Sequence, residues 1–89
     1  MPQRDVVVAN EAGIHARPAA EIVKLAAKFR SEIVIVRDGL EVNAKSIMGV
    51  MMLAAGKGSK VTIETEGPDE TDAMEAIVSL IGDYFGEGQ

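Results

Sequence analysis

The only histidine of the 89-residue chain stands in the segment "GIHARPA", residues 13–19. An arginine follows it by two positions and a proline by three, at the point where an amphipathic helical pattern begins. A proline in the first turn of a helix removes no hydrogen bond, because the first N–H groups of a helix have no partner inside it. The spacing therefore predicts a helix that begins at Ala16, with His15 as its N-cap.

The predicted start of this helix has the features of an anion site. The N–H groups of Ala16 and Arg17 would point out of the first turn, at the positive end of the helix dipole. The guanidinium of Arg17 is suited to bind two phosphate oxygens. An imidazole beside such a site can hold a phosphoryl group on a ring nitrogen. Phosphoryl transfer is one hypothesis for His15, and a histidine that merely caps a helix is the other.

Other kinds of catalytic site are disfavoured by the residue types. One histidine and no cysteine leave the chain without the usual nitrogen and sulfur ligands of a zinc site. No G-x-S-x-G motif offers a hydrolytic nucleophile. The absence of cysteine also removes disulfide bonds and suits a reducing compartment. We therefore expect no metal and no cofactor.

A second candidate site lies around Ser46, which precedes the apolar segment "IMGVMML", residues 47–53. Serine is a good N-cap, and that structural role alone would explain its presence. The segment has more large apolar side chains than one buried face needs, so some of them must be exposed and could form an adaptable docking patch. The expected division places Val50 and Leu53 in the core, and Ile47, Met48 and Met51 on the surface.

The composition is that of an ordinary globular protein. Hydrophobic residues make up 47% of the chain and charged residues 26%, so intrinsic disorder is disfavoured. The length predicts a single domain over residues 1–89. No stretch has the apolar length of a signal peptide or a membrane span. We expect a cytoplasmic protein that does not insert into a membrane.

The charges are distributed unevenly along the chain. Residues 1–60 contain all nine Lys and Arg and six acidic residues, whereas residues 61–89 contain eight acidic residues and no basic one. The acidic end disfavours general binding to nucleic acid. The basic remainder could face an acidic protein partner, or both regions could simply be solvated surfaces.

Short elements alternate along the chain. Strands are predicted at 5–9, 32–37, 40–44 and 60–66, and helices at 16–30, at 47–53 and after "GPDETDA". Asp38-Gly39 between two apolar runs is typical of a two-residue hairpin. The last helix is expected to bury Ala73, Ile77, Leu80, Ile81 and Tyr84. The order βαββαβα predicts an α+β open-faced sandwich, with three helices on one face of a four-stranded antiparallel sheet.

Two segments resemble the signatures of a known family. "GIHARPA" resembles the active-site signature of HPr, the histidine phosphocarrier family of the bacterial phosphoenolpyruvate:sugar phosphotransferase system. "VNAKSIMGVMML", residues 42–53, resembles the family's second signature, around its regulatory serine. Two separate motifs about thirty residues apart make the resemblance specific. It implies the βαββαβα fold, and a carrier protein rather than an enzyme with its own turnover.

The resemblance also implies roles for individual residues. His15 would accept a phosphoryl group on Nδ1 from enzyme I and pass it to the IIA component of a sugar transporter, with Arg17 and the backbone amide of Ala16 stabilising that group. Ser46 would be phosphorylated by HPr kinase/phosphorylase. The partner-binding residues would be Ala20, Ile47, Met48 and Met51, with Arg17, Lys24 and Lys45 as a basic rim. A monomer that binds no nucleic acid is expected, and Ala12 departs from the Ser or Thr of some members.

Two alternatives to the sugar-transport role remain. One is a regulatory paralogue with the same His15 chemistry, in a nitrogen-related phosphotransfer branch. The other is a binding-only regulator, in which phosphorylated Ser46 recruits a transcription factor and His15 is idle. Transfer of phosphate from phosphoenolpyruvate through enzyme I would separate the last alternative from the first two readings.

Overall fold

The computed structural model describes residues 3–8, 16–53 and 58–82, and residues 16–18 by their backbone alone. The elements follow the predicted order βαββαβα. Their bounds are β1 Gln3–Val7, α1 Ala16–Ala26, β2 Glu32–Arg37, β3 Leu40–Asn43, α2 Ile47–Met52, β4 Lys60–Glu66 and α3 Glu70–Gly82. None of the helices within these ranges is long and apolar enough to cross a membrane.

The four strands form one antiparallel sheet in the order β1-β4-β2-β3. Since β4 is antiparallel to both of its neighbours, β1 and β2 run in the same direction with β4 between them. By the same reasoning β3 and β4 are parallel with β2 between them. The helices α1 and α2 therefore each connect two parallel strands and pass over the strand that separates them.

The core lies between the helices and one face of the sheet. Strand β4 shows the alternation most clearly, because Val61, Ile63 and Thr65 are buried while the residues between them belong to the opposite face. The helices contribute Ala19, Ile22, Ala26, Val50, Ala73, Met74, Ile77 and Ile81. Within the described residues, the other face of the sheet carries no helix, so the predicted open-faced sandwich is confirmed.

The turn between β2 and β3 has the predicted hairpin geometry. Asp38 and Gly39 both have positive φ, 51° and 84°, and the flanking Arg37 and Leu40 are paired directly. Two consecutive residues with positive φ characterise the type I′ turn, whose twist matches that of the strands.

Helix α1 ends at Ala26, earlier than the predicted residue 30. Beyond it, the N–H of Lys28 bonds to Leu25 O at 3.0 Å and that of Phe29 to Ala26 O at 3.1 Å. These bonds span three residues, so the helix tightens into a final narrow turn before the chain enters β2. The pattern of apolar spacing continues through Phe29, which is partly buried against the core.

Other boundaries also differ from the predictions. Strand β1 begins at Gln3 instead of residue 5, and Val8 continues its pairing by donating to Ser59 O at 2.8 Å.

In α3, Met74 is buried and Leu80 is only half-buried, although Leu80 was predicted in the core. Leu80 lines a shallow groove against α1, so part of its surface stays accessible. Tyr84 lies outside the described residues.

A junction between two turns fixes the helices relative to the sheet. The Asp69 carboxylate accepts the N–H of Arg30 at 3.0 Å, and the N–H and hydroxyl of Ser31 at 2.9 and 2.5 Å. The Ser31 hydroxyl oxygen accepts the N–H of Asp69 at 3.2 Å. These hydrogen bonds hold the pKa of the Asp69 carboxyl below its usual range, and the bond from the Ser31 hydroxyl contributes most.

We predict that this junction makes the protein sensitive to acid. Because the pKa of Asp69 is lower in the folded chain, its contribution to stability is complete above the unfolded value of about 3.9 and is lost as pH falls through the folded value. Asp69→Asn should therefore lower the free energy of unfolding at pH 7, and the difference from the unmodified chain should shrink in acid. Denaturant unfolding of both proteins between pH 7 and pH 2 measures this difference in the free energy of unfolding.

The matched control is Glu75→Gln, because Glu75 is an exposed carboxylate on α3. Its effect should be small at every pH. An Asp69→Asn effect that stays constant down to pH 2 would contradict the prediction.

Candidate functional site

The helix that follows the histidine begins where the sequence predicts. Its first residue is Ala16, its first turn has no acidic residue, and Lys24 lies in its last turn. The first N–H groups of such a helix have no acceptor within it, and no carboxylate of the first turn opposes the positive end of its dipole. His15 lies outside the described residues, as does the side chain of Arg17. Their roles, and that of the Ala16 amide, stay predictions.

Ser46 is the N-cap of α2, as predicted. Its backbone is extended, with φ −112° and ψ 117°, and its Oγ accepts the N–H of Gly49 at 3.2 Å. Its carbonyl oxygen accepts the N–H of Val50 at 2.9 Å, which starts the helical ladder. The Ser46 residue is half-buried. Its hydroxyl therefore stands at the start of the helix and beside the solvent.

The turn that leads into α2 is held by Asn43. The Asn43 side-chain oxygen accepts the N–H of Lys45 at 2.8 Å, and its carbonyl oxygen accepts the N–H of Ser46 at 3.0 Å. At Gly49 a Cβ would lie 3.4 Å from the Cβ of Val42, so a small residue here lets α2 approach β3 closely. The start of α2 is thus joined to the end of β3 by the hydrogen bonds of Asn43 and by the contact at Gly49.

Lys45 joins α2 to α1. Its Nζ donates to the carbonyl oxygen of Phe29 at 2.8 Å, and the residue is half-buried. The charge of the ammonium satisfies an acceptor in the turn that follows α1. Lys45 therefore has a structural role that the sequence pattern did not indicate, in addition to its predicted place in the basic rim.

The exposed side of α2 is apolar. Met48 is 71% exposed, Met51 44% and Ile47 41%, whereas Val50 and Leu53 are buried, so the predicted division is confirmed. Met52, which was not among the residues predicted to be exposed, is 64% exposed. Its position four residues after Met48 was the available signal. The α2 apolar patch is defined here as Ile47, Met48, Met51 and Met52.

The predicted partner-binding residues on α1 occupy a different part of the surface. Ala20 is half-buried and Lys24 is exposed. Lys24 lines a shallow groove with Leu25 and Lys28 of α1 and Leu80 of α3. The structure thus groups Lys45, Ser46 and the α2 apolar patch, while Lys24 lies toward α3.

Across residues 3–8, 16–53 and 58–82, no three His, Cys, Asp or Glu are placed to hold a metal ion.

A four-stranded open-faced sandwich, with a helix that begins directly after a histidine in the sequence, is typical of a class of small α+β phosphotransfer domains. Comparisons with known proteins identify the family. The family model described as the PTS HPr component phosphorylation site matches residues 2–83. The phosphocarrier protein HPr of Cupriavidus necator is 55% identical over 89 residues, which cover all of both chains. The crystal structure of HPr-C-His from Thermoanaerobacter tengcongensis matches with a TM-score of 0.93 and 46% identity, over 98% of each chain. The chain belongs to the HPr family of phosphocarrier proteins.

Dimers occur among the similar structures. A crystal structure of an HPr dimer from Thermoanaerobacter tengcongensis matches with a TM-score of 0.77 and 46% identity, over 98% of this chain and all of that chain. The expected monomer is therefore not confirmed, and it stays a prediction.

The capping geometry at Ser46 gives a prediction about stability. Ser46→Ala removes the acceptor of the Gly49 N–H and should lower the free energy of unfolding by about 1 kcal/mol. Ser46→Asp supplies an equivalent oxygen, so its free energy of unfolding should differ from that of the unmodified chain by only about 0.3 kcal/mol. Chemical denaturation of the three proteins measures both effects. An unchanged free energy of unfolding in Ser46→Ala would show that the hydroxyl cap contributes nothing.

Proposed function

We propose that the chain relays a phosphoryl group from phospho-enzyme I to the IIA components of sugar transporters through His15. The observation that carries the proposal is a helix that begins immediately after the only histidine, in a member of the HPr family. The protein would act as a carrier without turnover of its own. Its place is in the cytoplasm, where enzyme I and the IIA components act.

The proposed chemistry uses one ring nitrogen and the start of α1. The lone pair of His15 Nδ1 attacks the phosphorus, so that a P–N bond forms while the bond to the donor breaks. The same exchange, with IIA as the acceptor, discharges the carrier. The Ala16 amide, the Arg17 guanidinium and the helix dipole would stabilise the negative charge of the transferred group.

Docking is proposed to occur on the α2 apolar patch together with Ala20. The exposed methionines supply flexible, polarisable contacts that can adapt to enzyme I and to IIA partners of different shape. Arg17, Lys24 and Lys45 would form the basic rim for an acidic partner surface. The Lys45 ammonium has a defined partner, because it donates to Phe29 O at 2.8 Å.

Ser46 is proposed as a regulatory site for HPr kinase/phosphorylase. Its hydroxyl lies at the start of α2, directly before Ile47 of the apolar patch. A phosphate there adds about −1.5 to −2 charges at neutral pH. The helix start can accept this charge, whereas an acidic partner surface would be repelled by it.

His15→Ala should abolish phosphate acceptance from enzyme I and phosphoenolpyruvate. The reason is that the chain has a single histidine, so no other imidazole can form the acid-labile P–N bond. The measurement is the phosphate released by acid from the purified chain after incubation. Glu75→Gln should accept phosphate as the unmodified chain does. Acid-labile phosphate on the His15→Ala protein, or none on the unmodified chain, would overturn the assignment.

Ser46→Asp should weaken docking to enzyme I while leaving the fold intact. The added carboxylate is a partial mimic of phosphate, so the KM for the carrier should rise by about fivefold at low salt, without a loss of melting temperature. The defect should shrink at high salt, because screening reduces repulsion between exposed charges. Ser46→Asn, which also caps the helix but adds no charge, is the matched control. An unchanged KM in the folded Asp variant would remove Ser46 from the docking surface.

A further inference from the structure

Three of the five methionines in the chain lie on the short helix α2. Their side chains are exposed, by 71% at Met48, 64% at Met52 and 44% at Met51, whereas Met74 in α3 is 3% exposed. An exposed thioether is open to peroxide, which converts it into a polar sulfoxide. The chain therefore has a cluster of oxidisable sulfurs on its surface. The buried Met74 serves as an internal control, because peroxide should reach its sulfur last.

The three exposed methionines share one side of α2. Met51 and Met52 follow Met48 by three and four residues, which places them beside it on the helix surface. The contacts of this helix with the core are made by Val50 and by its C-cap Leu53, which are both buried. Changes at the three sulfurs therefore alter the surface of the helix without removing its core contacts.

The ends of α2 are also held without the methionine side chains. Ser46 Oγ accepts the N–H of Gly49 at the first turn. After the last turn, the Arg37 guanidinium donates to the carbonyl oxygen of Leu53 at 2.9 Å. Since these caps do not involve thioether sulfur, the helix should keep its conformation when the methionines become polar.

We propose that Met48, Met51 and Met52 form an oxidation-sensitive modification site that controls docking. The oxidant is a hydroperoxide or hydrogen peroxide. A sulfur lone pair attacks the hydroxyl oxygen, the S–O bond forms as the O–O bond breaks, and the proton of that hydroxyl passes to the other oxygen, which leaves as an alcohol or as water. The sulfur is oxidised to the sulfoxide and the peroxide is reduced. Reduction by methionine sulfoxide reductases restores the thioether. The inference rests on the proposed docking function of the α2 apolar patch.

A sulfoxide opposes docking because its oxygen must lose water on entering an apolar contact. Without a compensating donor on the partner, the KM for transfer from phospho-enzyme I should rise by about tenfold. The thermal unfolding temperature should remain close to that of the reduced chain. The order of oxidation should follow exposure, with Met48 and Met52 before Met51, and Met74 last.

The experiment treats the full chain with graded hydrogen peroxide and measures three quantities. Peptide mass spectrometry locates the sulfoxides, circular dichroism follows unfolding, and transfer from phospho-enzyme I gives the KM before and after treatment. Two variants are compared. The triple variant Met48→Leu, Met51→Leu, Met52→Leu should keep its own KM after peroxide, and Met74→Leu should lose affinity on oxidation as the unmodified chain does.

The outcomes separate this inference from the proposed function. If the untreated chain accepts no phosphate, the proposed function fails. If it accepts phosphate but the oxidised, folded chain has an unchanged KM, the modification site fails while the carrier role stands. A loss that the triple variant shares is also contrary to the inference, since Met1 and Met74 are common to both chains. Recovery of the KM after treatment with both stereospecific sulfoxide reductases supports it.

Discussion

The carboxylate of Asp69 makes the contact on which the arrangement of the helices depends. It accepts the N–H groups of Arg30 and Ser31, which follow the last turn of α1, while Asp69 itself stands directly before α3. One side chain therefore connects two turns that are 38 residues apart in sequence. Space at this point is limited, because Gly67 has φ 148° and a Cβ there would lie 2.6 Å from the Cα of Ser31. Without the carboxylate, the N–H and the hydroxyl of the buried Ser31 would lose their acceptor, and the direction of α1 would lose its anchor.

The same physical arrangement sets the position of the candidate site. Helix α1 is fixed at its C-terminal end by the Asp69 junction and by the contact of Lys45 with Phe29 O. Because a helix is stiff, fixing this end and its buried face also fixes where its first residue, Ala16, lies. Lys45 is at the same time adjacent to Ser46, the N-cap of α2. The phosphoryl-accepting end proposed for α1 and the docking surface proposed for α2 are thus parts of one connected framework.

The features that the sequence predicted correctly depend on nearby residues. The positive φ angles of Asp38-Gly39, the alternation along β4 and the cap at Ser46 are local consequences of residue type. The end of α1 was predicted too late because Asp69, far along the chain, accepts the N–H groups of Arg30 and Ser31, which a longer helix would have used in its own hydrogen bonds. Met74 and Leu80 both fit the helical spacing of α3, and only the packing of neighbouring elements decides that Met74 is buried. The ammonium contact of Lys45 likewise depends on the approach of α1, which no local pattern encodes.

Charge distinguishes α1 and α2 from the open face of the sheet. On the open face, Glu32 is directly opposite Glu66, and Glu64 lies on the same face of β4. Like charges in register destabilise a strand pair, so these residues are not explained by sheet stability. Among the helices, α3 carries the acidic Glu70, Asp72 and Glu75, whereas Lys24 and Lys28 are exposed on α1 and the α2 apolar patch carries no charge. An acidic partner would be repelled by the open face and would meet neutral or basic groups on α1 and α2. The uneven charge of the sequence therefore becomes a directional field, which favours approach of an acidic partner to α1 and α2, rather than to α3 or the open face, before any specific contact forms.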